Sequence, residues 1–164
     1  MPQPDDLILE RLNDLAACLC AELTPAGADE VPMCLCIPVP GAFMAQAYVG
    51  EGEDVAWVRL ADSFPSNRPG VQHVNTFDQV GGTSLMVEMG VMRCFPVNQD
   101  GSVDPGDLTE TWRQQIRDLG AMRRAIQCCT GRSWSARDLV VGNYRPIGPE
   151  GDLVGGVISL ALQV

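Results

Sequence analysis

The strand-like stretches of this sequence follow one another with few helices between them, and this order constrains the fold most. Apolar residues recur at every second position in Asp54–Phe64, Ser84–Phe95 and Leu153–Val164, a period that places alternate side chains on opposite faces of a strand. Parallel neighbours need long crossovers, whereas antiparallel neighbours need only turns. The sequence therefore predicts an α+β fold with a mostly antiparallel sheet, two helices packed on one face of that sheet, and a C-terminal β-hairpin.

Two stretches have the helical period instead. The first spans Asp5–Leu23, where apolar residues at spacings of four and three share one face, and Thr24–Gly27 ends the helix. The second begins after the capping residue Asp104, with Pro105 in the first helical position, and Gly131 ends it. Its predicted inward stripe consists of Leu108, Trp112, Gln115, Leu119, Met122, Ile126 and Cys129, and Ile116 widens it.

Further extended stretches complete the predicted sheet. Val31–Val39 contains Pro32 and Pro38, whose missing N–H groups place this strand at an edge or leave it paired only in its middle. A second extended piece is predicted at Phe43–Val49. The hairpin consists of Asp138–Ile147, a turn at Gly148–Asp152, and Leu153–Val164, with one face of the last arm buried and the other small and polar.

Pro65–Gly82 has no sustained period and is predicted to form a loop of about 18 residues, a length that usually indicates function or disorder. The 164 residues show no internal repeat, linker or low-complexity tract, and 46% of them are apolar. A chain of this size can bury roughly 70% of its extended surface on folding. Residues 1–164 are therefore predicted to form a single domain.

The charge balance is acidic. There are 21 acidic residues and 11 basic ones, all arginine, for a net charge of −10. This balance argues against tight nucleic-acid binding, which needs clustered positive charge, but a negative wall lets DNA slide past without capture. The acidic N-terminus and the lack of an apolar run of about 18 residues predict neither a secretory signal nor a membrane span. The seven cysteines are accordingly predicted to be reduced thiols in the cytoplasm.

No residue pattern predicts catalysis. The single histidine, His73, lies in the long loop, and no nucleophile motif accompanies it. Cys18, Cys20, Cys34 and Cys36 could supply four thiolates to zinc, but one intervening residue is an unusual spacing for a structural site. They are better interpreted as small apolar residues, so no metal and no cofactor is predicted. The arginines of the second helix form a solvated or interface face.

Four segments resemble tail terminator proteins of long-tailed, non-contractile phages, particularly those of actinobacterial hosts. They are Ala56–Ser66 (AWVRLADSFPS), Val87–Cys94 (VEMGVMRC), Leu119–Ile126 (LGAMRRAI) and Tyr144–Gly151 (YRPIGPEG), followed by the closing strand. The order of the elements also resembles that family: an opening helix, strands, a second helix and a final hairpin. The resemblance covers Leu7–Val164 and implies a tail-terminator-like domain without enzymatic activity.

The resemblance also implies a role in the virion. Such a protein forms a homohexameric ring in the neck, caps the major tail tube protein, ends tube polymerisation and docks the tail to the head–tail connector or stopper. Assembly takes place in the host cytoplasm, no membrane is involved, and genome DNA passes through the lumen without specific binding. The candidate residues for contacts with a neighbouring subunit or the tube are Pro32, Pro38, Trp57, Arg68, His73, Phe77, Arg113, Arg117, Arg124, Ser159 and Gln163.

Two alternatives remain beside this interpretation. One is another component of the head–tail neck, a stopper or an adaptor, which differs in ring symmetry and in the side on which it docks. The other is a zinc- or thiol-dependent enzyme that uses the paired cysteines. Tail length in particles lacking the protein separates the first alternative, and metal analysis of the purified protein tests the second.

Overall fold

The computed structural model describes residues 4–24, 37–39, 54–71, 82–130, 134–150 and 153–164. The elements, in chain order, are α1 Pro4–Leu23, β1 Ile37–Val39, β2 Val55–Pro65, β3 Thr83–Cys94, α2 Pro105–Thr130, β4 Leu139–Glu150 and β5 Leu153–Gln163. Both predicted helices and the main predicted strands are confirmed. The extended piece predicted at Phe43–Val49 and most of the strand predicted at Val31–Val39 lie outside the described residues.

The five strands form one sheet in the order β1-β2-β3-β5-β4. The pairs β2–β3, β3–β5 and β5–β4 are antiparallel, and the short β1 adds a parallel edge beside β2. The predicted α+β fold with a mostly antiparallel sheet is therefore confirmed, as is the C-terminal hairpin, formed by β4 and β5. β1 carries Pro38 at the edge of the sheet, the position predicted from its missing N–H group.

The first strand of the hairpin extends further than predicted. β4 continues through Gly148 and Pro149, which were predicted as turn residues, and ends at Glu150. The β4–β5 ladder shifts register between Ile147 and Glu150 and then resumes with Glu150 opposite Leu153. The irregularity lets the strand carry turn-like residues without ending. β2 likewise extends to Pro65, the first residue of the predicted loop.

Both helices pack on one face of the sheet, as predicted. α1 contacts β1 and β2, α2 contacts β3, β5 and β4, and the two helices contact each other. The core between the helices and the sheet is fully apolar at its centre. Its most buried members include Leu15, Leu19, Val58, Leu85, Val87, Met89, Met122, Ile158, Leu160 and Leu162.

The opposite face of the sheet is also buried over much of its area. A second cluster there comprises Val55, Trp57, Met92 and Leu153. Trp57 lies across Gly90 of β3, and a methyl group at that glycine would overlap the indole ring. Within the residues described, no helix covers this face, so its burial could not be read from the helical stripes.

The C-terminal strand β5 is also more buried than predicted on the face away from the helices. The face of β5 predicted to be small and polar includes Val157 and Ala161, which are 3% and 5% exposed. Ala161 lies under the segment that follows β2, because a Cβ atom at Gly70 would be only 3.1 Å from the Cβ of Ala161. Both faces of β5 are therefore interior, as is usual for a strand in the middle of a covered sheet.

Candidate interaction surface

α2 begins with the capping geometry that its sequence predicts. The Asp104 carboxylate accepts a hydrogen bond from the Gly106 N–H at 2.7 Å, and Pro105 occupies the first helical position. The helix has 26 residues and is about 39 Å long. Its buried residues begin only at Gln115, so the first ten residues extend along the surface.

An apolar stripe is exposed on this first half of α2. Leu108, Trp112 and Ile116 are 50%, 59% and 53% exposed. Leu108 and Ile116 each lie about 40° from Trp112 around the helix, because successive residues turn by about 100°. These residues were predicted to face inward, and that prediction is wrong for them. The buried face is carried by Asp118, Ala121, Met122, Ala125, Ile126 and Cys129, to one side of the stripe.

The exposed stripe lies on the flank of α2 away from α1. Asp118, roughly 120° from Trp112, points to the sheet, where it binds Arg93 of β3. Arg124, roughly 120° from Trp112 on the other side, points to α1, where its Nε lies 2.7 Å from Glu22. Because α1 covers the β1 side of the sheet and α2 the β4 side, the stripe faces the β4 edge.

β4 is the edge strand on that side, and two of its exposed residues are large and apolar. Val140 and Val141 are both 49% exposed. Pro146 and Pro149 remove two N–H groups from the far part of the strand, which protects that part against pairing, whereas Leu139–Arg145 contains no proline. The unprotected half of the edge carries the two valines, which pair with Ala161 and Leu160 and therefore point to opposite faces of the sheet. It lies five to six residues along β5 from Gly155, where Gln115 and the start of α2 contact the sheet.

Two further exposed arginines, Arg123 and Arg145, do not join this apolar stripe. Arg123 lies about 20° from Trp112 around the helix but about 16 Å further along it. Arg145 of β4 pairs with Val157, so it points to the face of the sheet away from the helices. We name the exposed stripe on the flank of α2, which comprises Leu108, Trp112 and Ile116, the α2–β4 surface.

A buried polar cluster holds α2 against the sheet beneath this surface. The Arg93 guanidinium donates from Nε and Nη2 to the two carboxylate oxygens of Asp118, each at 2.7 Å, and from Nη1 to Asp54 at 2.6 Å. Burial by itself lowers the pKa of Arg93, but the hydrogen bonds and charges of Asp118 and then Asp54 raise it, so the guanidinium is permanently charged. The side-chain amide of Gln115 adds a hydrogen bond to the Gly155 carbonyl at 3.1 Å.

Tyr144 lies beside this cluster on β4. Its ring packs against the main core, and its hydroxyl is buried without a hydrogen-bond partner. Burial, followed by the negative charge of Asp118, raises the pKa of this hydroxyl above its ordinary value. An ionisable group in such a position contributes to the packing of β4 as a neutral side chain.

The three predicted interface arginines of α2 are all exposed. Arg113 and Arg117 both form ion pairs with Glu110, which lies one turn before Arg113 and two turns before Arg117 on the helix. These two pairings lower the pKa of Glu110, the hydrogen bond from Arg117 contributing most. Arg124 reaches across to Glu22 of α1. The arginines therefore lie on the top and α1 side of α2, apart from the α2–β4 surface.

The other predicted interface residues are scattered. Trp57 is 3% exposed and belongs to the second apolar cluster, so it is not available to a partner. Arg68 is exposed in the segment after β2, and its carbonyl accepts the Ser66 hydroxyl at 2.6 Å. Ser159 is half-buried on β5. Pro32, His73 and Phe77 lie outside the described residues, and Pro38 is described only as part of β1.

Gln163, the last predicted interface residue, stabilises the end of the chain instead. Its side-chain N–H donates to the Ser66 carbonyl at 2.7 Å. It also lines a cavity of about 200 Å³ together with Arg11, Trp134 and Asp138. The Trp134 indole N–H and the Gln163 amide oxygen are buried without hydrogen-bond partners.

The cysteines differ from their prediction at one position. Cys20 is disulfide-bonded, so the prediction that every cysteine is reduced is wrong there, and its partner lies outside the described residues. Cys18, Cys94, Cys128 and Cys129 form no disulfide. Within the described ranges, no three His, Cys, Asp or Glu side chains come together in a way that could hold a metal ion.

No protein-family model matches the chain, and no curated protein matches it. Among the described helices, neither is long and apolar enough to cross a membrane.

The α2–β4 surface was not predicted, because the spacing of the apolar residues of α2 indicates a single stripe. The predicted stripe extended beyond the buried face of the helix, since Ile116 lies about 160° around the helix from the buried Asp118. The sequence did contain a signal of the buried face, at Ala121 and Ala125. Small residues at a spacing of four allow close packing, and here both are buried against the rest of the fold.

Proposed function

We propose that this protein is a structural virion protein that forms a homohexameric ring at the neck of a phage tail. The ring caps the tail tube, ends its polymerisation and docks the tail to the head connector. The observation that supports this proposal best is the α2–β4 surface. A half-exposed tryptophan between two exposed aliphatic residues is typical of a surface that another protein covers.

The resemblance of four segments to tail terminators supplies the kind of assembly. A closed ring needs two different patches on each subunit, which meet head to tail. Six copies with a charge of −10 each give a ring of about −60, and such a lumen repels the DNA backbone and lets the genome pass without capture.

Phage particles assembled without this protein test the proposal. We expect tails of uncontrolled length in electron micrographs, and tails of normal length once the wild-type protein is added to assembling tubes. Normal tails that detach from DNA-leaking heads would instead support the alternative neck role, a stopper or adaptor. Unchanged tubes, together with a protein that remains monomeric at all concentrations, would contradict both.

A matched pair of variants makes the experiment specific to the α2–β4 surface. Trp112→Glu places a charge at the centre of that surface, and we expect it to fail in restoring tail length. Val97→Glu places the same charge at another exposed apolar residue, 42% exposed in the turn before α2, and we expect normal restoration. Equal restoration by both variants would remove the α2–β4 surface from the function.

A further inference from the structure

Two cysteine side chains meet where α1 and α2 pack against each other. Cys129 of α2 is 1% exposed, and its thiol donates a hydrogen bond to the Asp14 carbonyl of α1 at 3.3 Å. Cys18 lies one turn after Asp14, and a helical side chain points back over the preceding turn, so Cys18 points to the turn that Cys129 contacts. The two thiols are in hydrogen-bonding contact with each other, and neither takes part in a disulfide.

The two thiols differ in their access to solvent. Cys18 is half-buried, whereas Cys129 is buried. Burial, and then the neighbouring Cys18, raise the pKa of Cys129 and disfavour its thiolate. Because a thiolate is the species that attacks a disulfide, a dissolved disulfide reacts first at Cys18. Cys129 is reached from the Cys18 sulfur rather than from solvent.

We propose that Cys18 and Cys129 form an oxidation site, at which a small-molecule disulfide converts the thiol pair into a disulfide bond between α1 and α2. The Cys18 thiolate attacks one sulfur of the small disulfide, forms a mixed disulfide and expels the other half as a thiolate, which takes up a proton. The Cys129 thiol then loses its proton, and its sulfur attacks the Cys18 sulfur and expels the second small thiol. The protein loses two electrons and two protons, and the small disulfide gains both.

The surroundings of the pair accommodate such a bond. Oxidation removes the Cys129 thiol proton, but the Asp14 carbonyl also accepts the backbone N–H of Cys18 within α1, so no buried acceptor loses its last partner. A disulfide requires Cα atoms about 4.4–6.8 Å apart. Cys129 is the second-last residue of α2, where the final turn has few backbone bonds to hold it and can adjust to that separation.

The neighbouring cysteines are placed differently. Cys20 is already disulfide-bonded, and it lies about 200° around α1 from Cys18, so its bond is on the other side of the helix. Cys128 is half-buried and forms no disulfide, and it lies about 100° around α2 from Cys129. Cys128 is therefore a matched control, a free cysteine of the same helix turn that the proposed bond does not use.

Oxidised glutathione added to the purified full chain in native buffer tests the site. Samples are quenched with acid and digested without reductant, and mass spectrometry identifies the joined peptides. We expect a peptide of α1 joined to a peptide of α2 through Cys18 and Cys129, in the wild type and equally in Cys128→Ser. Cys18→Ser and Cys129→Ala should not form it. Cys18 is half-buried, so Cys18→Ser keeps the test decisive if the buried substitution unfolds the chain.

Thermal unfolding provides a second measurement. The bond closes a long loop of the chain, so oxidation should raise the midpoint by about 5–15 °C in the wild type and in Cys128→Ser. No such rise is expected in Cys18→Ser. Comparison among oxidised variants is preferred to reduction of the wild type, because a reductant would also act on the disulfide of Cys20.

Three results would overturn the proposal: a wild type that keeps glutathione on Cys18 without a cross-link, a cross-link that appears only in the urea-unfolded chain, or an oxidised wild type whose midpoint does not rise. The proposal concerns a bond within one chain and does not rest on the ring. Cross-linking in solution and the control of tail length are therefore measured independently, and either can fail without the other.

Discussion

The Arg93 guanidinium of β3 donates one hydrogen bond to each carboxylate oxygen of Asp118 in α2, both at 2.7 Å. This bidentate pair lies where α2 first becomes buried, between the exposed apolar stripe and the core-facing half of the helix. Planar pairing of two donors with two acceptors fixes direction as well as distance. The pair therefore fixes the orientation of the exposed half of α2 relative to β4.

Asp118→Asn should destabilise the protein by about 1.5–3 kcal/mol, the range typical of hydrogen bonds to charged groups. The Asp118 side chain is 5% exposed and Arg93 is 20% exposed, so the guanidinium would lose its main counter-charge in a poorly solvated position. Asp54 remains to pair with Arg93 and keeps the loss from being larger. Urea unfolding followed by circular dichroism measures the change.

The control for that variant is Arg113→Ala. Its ion pair with Glu110 is solvent-exposed on both sides, and such pairs contribute about 0–1 kcal/mol. Equal destabilisation by the two substitutions would show that the Arg93–Asp118 pair has no special place in the fold.

Gly155→Ala should destabilise the protein by about 3 kcal/mol or abolish soluble expression. A methyl group at Gly155 would overlap the backbone carbonyl of Val91 and lie 2.9 Å from the Cα atom of Met92. Backbone atoms in the centre of a sheet cannot move aside as a flexible side chain does, so the β3–β5 ladder would have to open. The midpoint of thermal unfolding provides the measurement.

Gly148→Ala is the matched glycine variant. Gly148 lies on the exposed edge strand, with no heavy atom within 4 Å of an added methyl group, so its stability should change by less than about 0.5 kcal/mol. No loss at Gly155 would contradict the β3–β5 register, and a large loss at Gly148 would contradict the open space beside that residue.

The elements of this fold were largely predictable because their signals are local. The two-residue period of Val55–Leu60 identified β2 and both of its faces, and Ala56 and Val58 do lie in the main core while Val55 and Trp57 lie on the other side. Asp104 and Pro105 located the start of α2 for the same reason, since capping depends only on neighbouring residues.

The α2–β4 surface was not predictable from the sequence, because the burial of a side chain depends on which other elements pack against it. An isolated helical wheel treats Trp112 and Met122 alike, yet one is 59% exposed and the other fully buried, because α2 reaches the sheet only from Gln115 onward. Val157 of β5 is the opposite case. Its strand face was expected to be open, and it is covered on the side of the sheet away from the helices.

Cys129 should react with a maleimide far more slowly than its neighbour Cys128. Cys129 is 1% exposed, and its thiol donates to the Asp14 carbonyl at 3.3 Å. Burial, and then the neighbouring Cys18, raise its pKa, so almost no thiolate is present at neutral pH. Mass spectrometry of digested, time-quenched samples should show that Cys129 is labelled only through global unfolding. Urea at concentrations below the unfolding midpoint should accelerate this labelling. Rapid labelling in native buffer would contradict the α1–α2 packing.

Ionisation of Tyr144 should lower the free energy of unfolding above about pH 10, and Tyr144→Phe should abolish this part of the pH dependence. Its pKa is raised in the folded state by burial and then by Asp118, above the ordinary value of 10.0. A raised folded-state pKa means that the neutral form is favoured on folding. The associated stability is complete below the unfolded-state pKa and is lost as pH rises through the folded-state pKa.

Urea unfolding at pH 9 and pH 11 should show a larger fall in the free energy of unfolding for the wild type than for Tyr144→Phe. The difference in tyrosinate absorbance between the two proteins reports the ionisation of Tyr144 directly. An ionisation at the pH seen in the urea-unfolded chain would show that the hydroxyl is solvated and that β4 packs more loosely against α2.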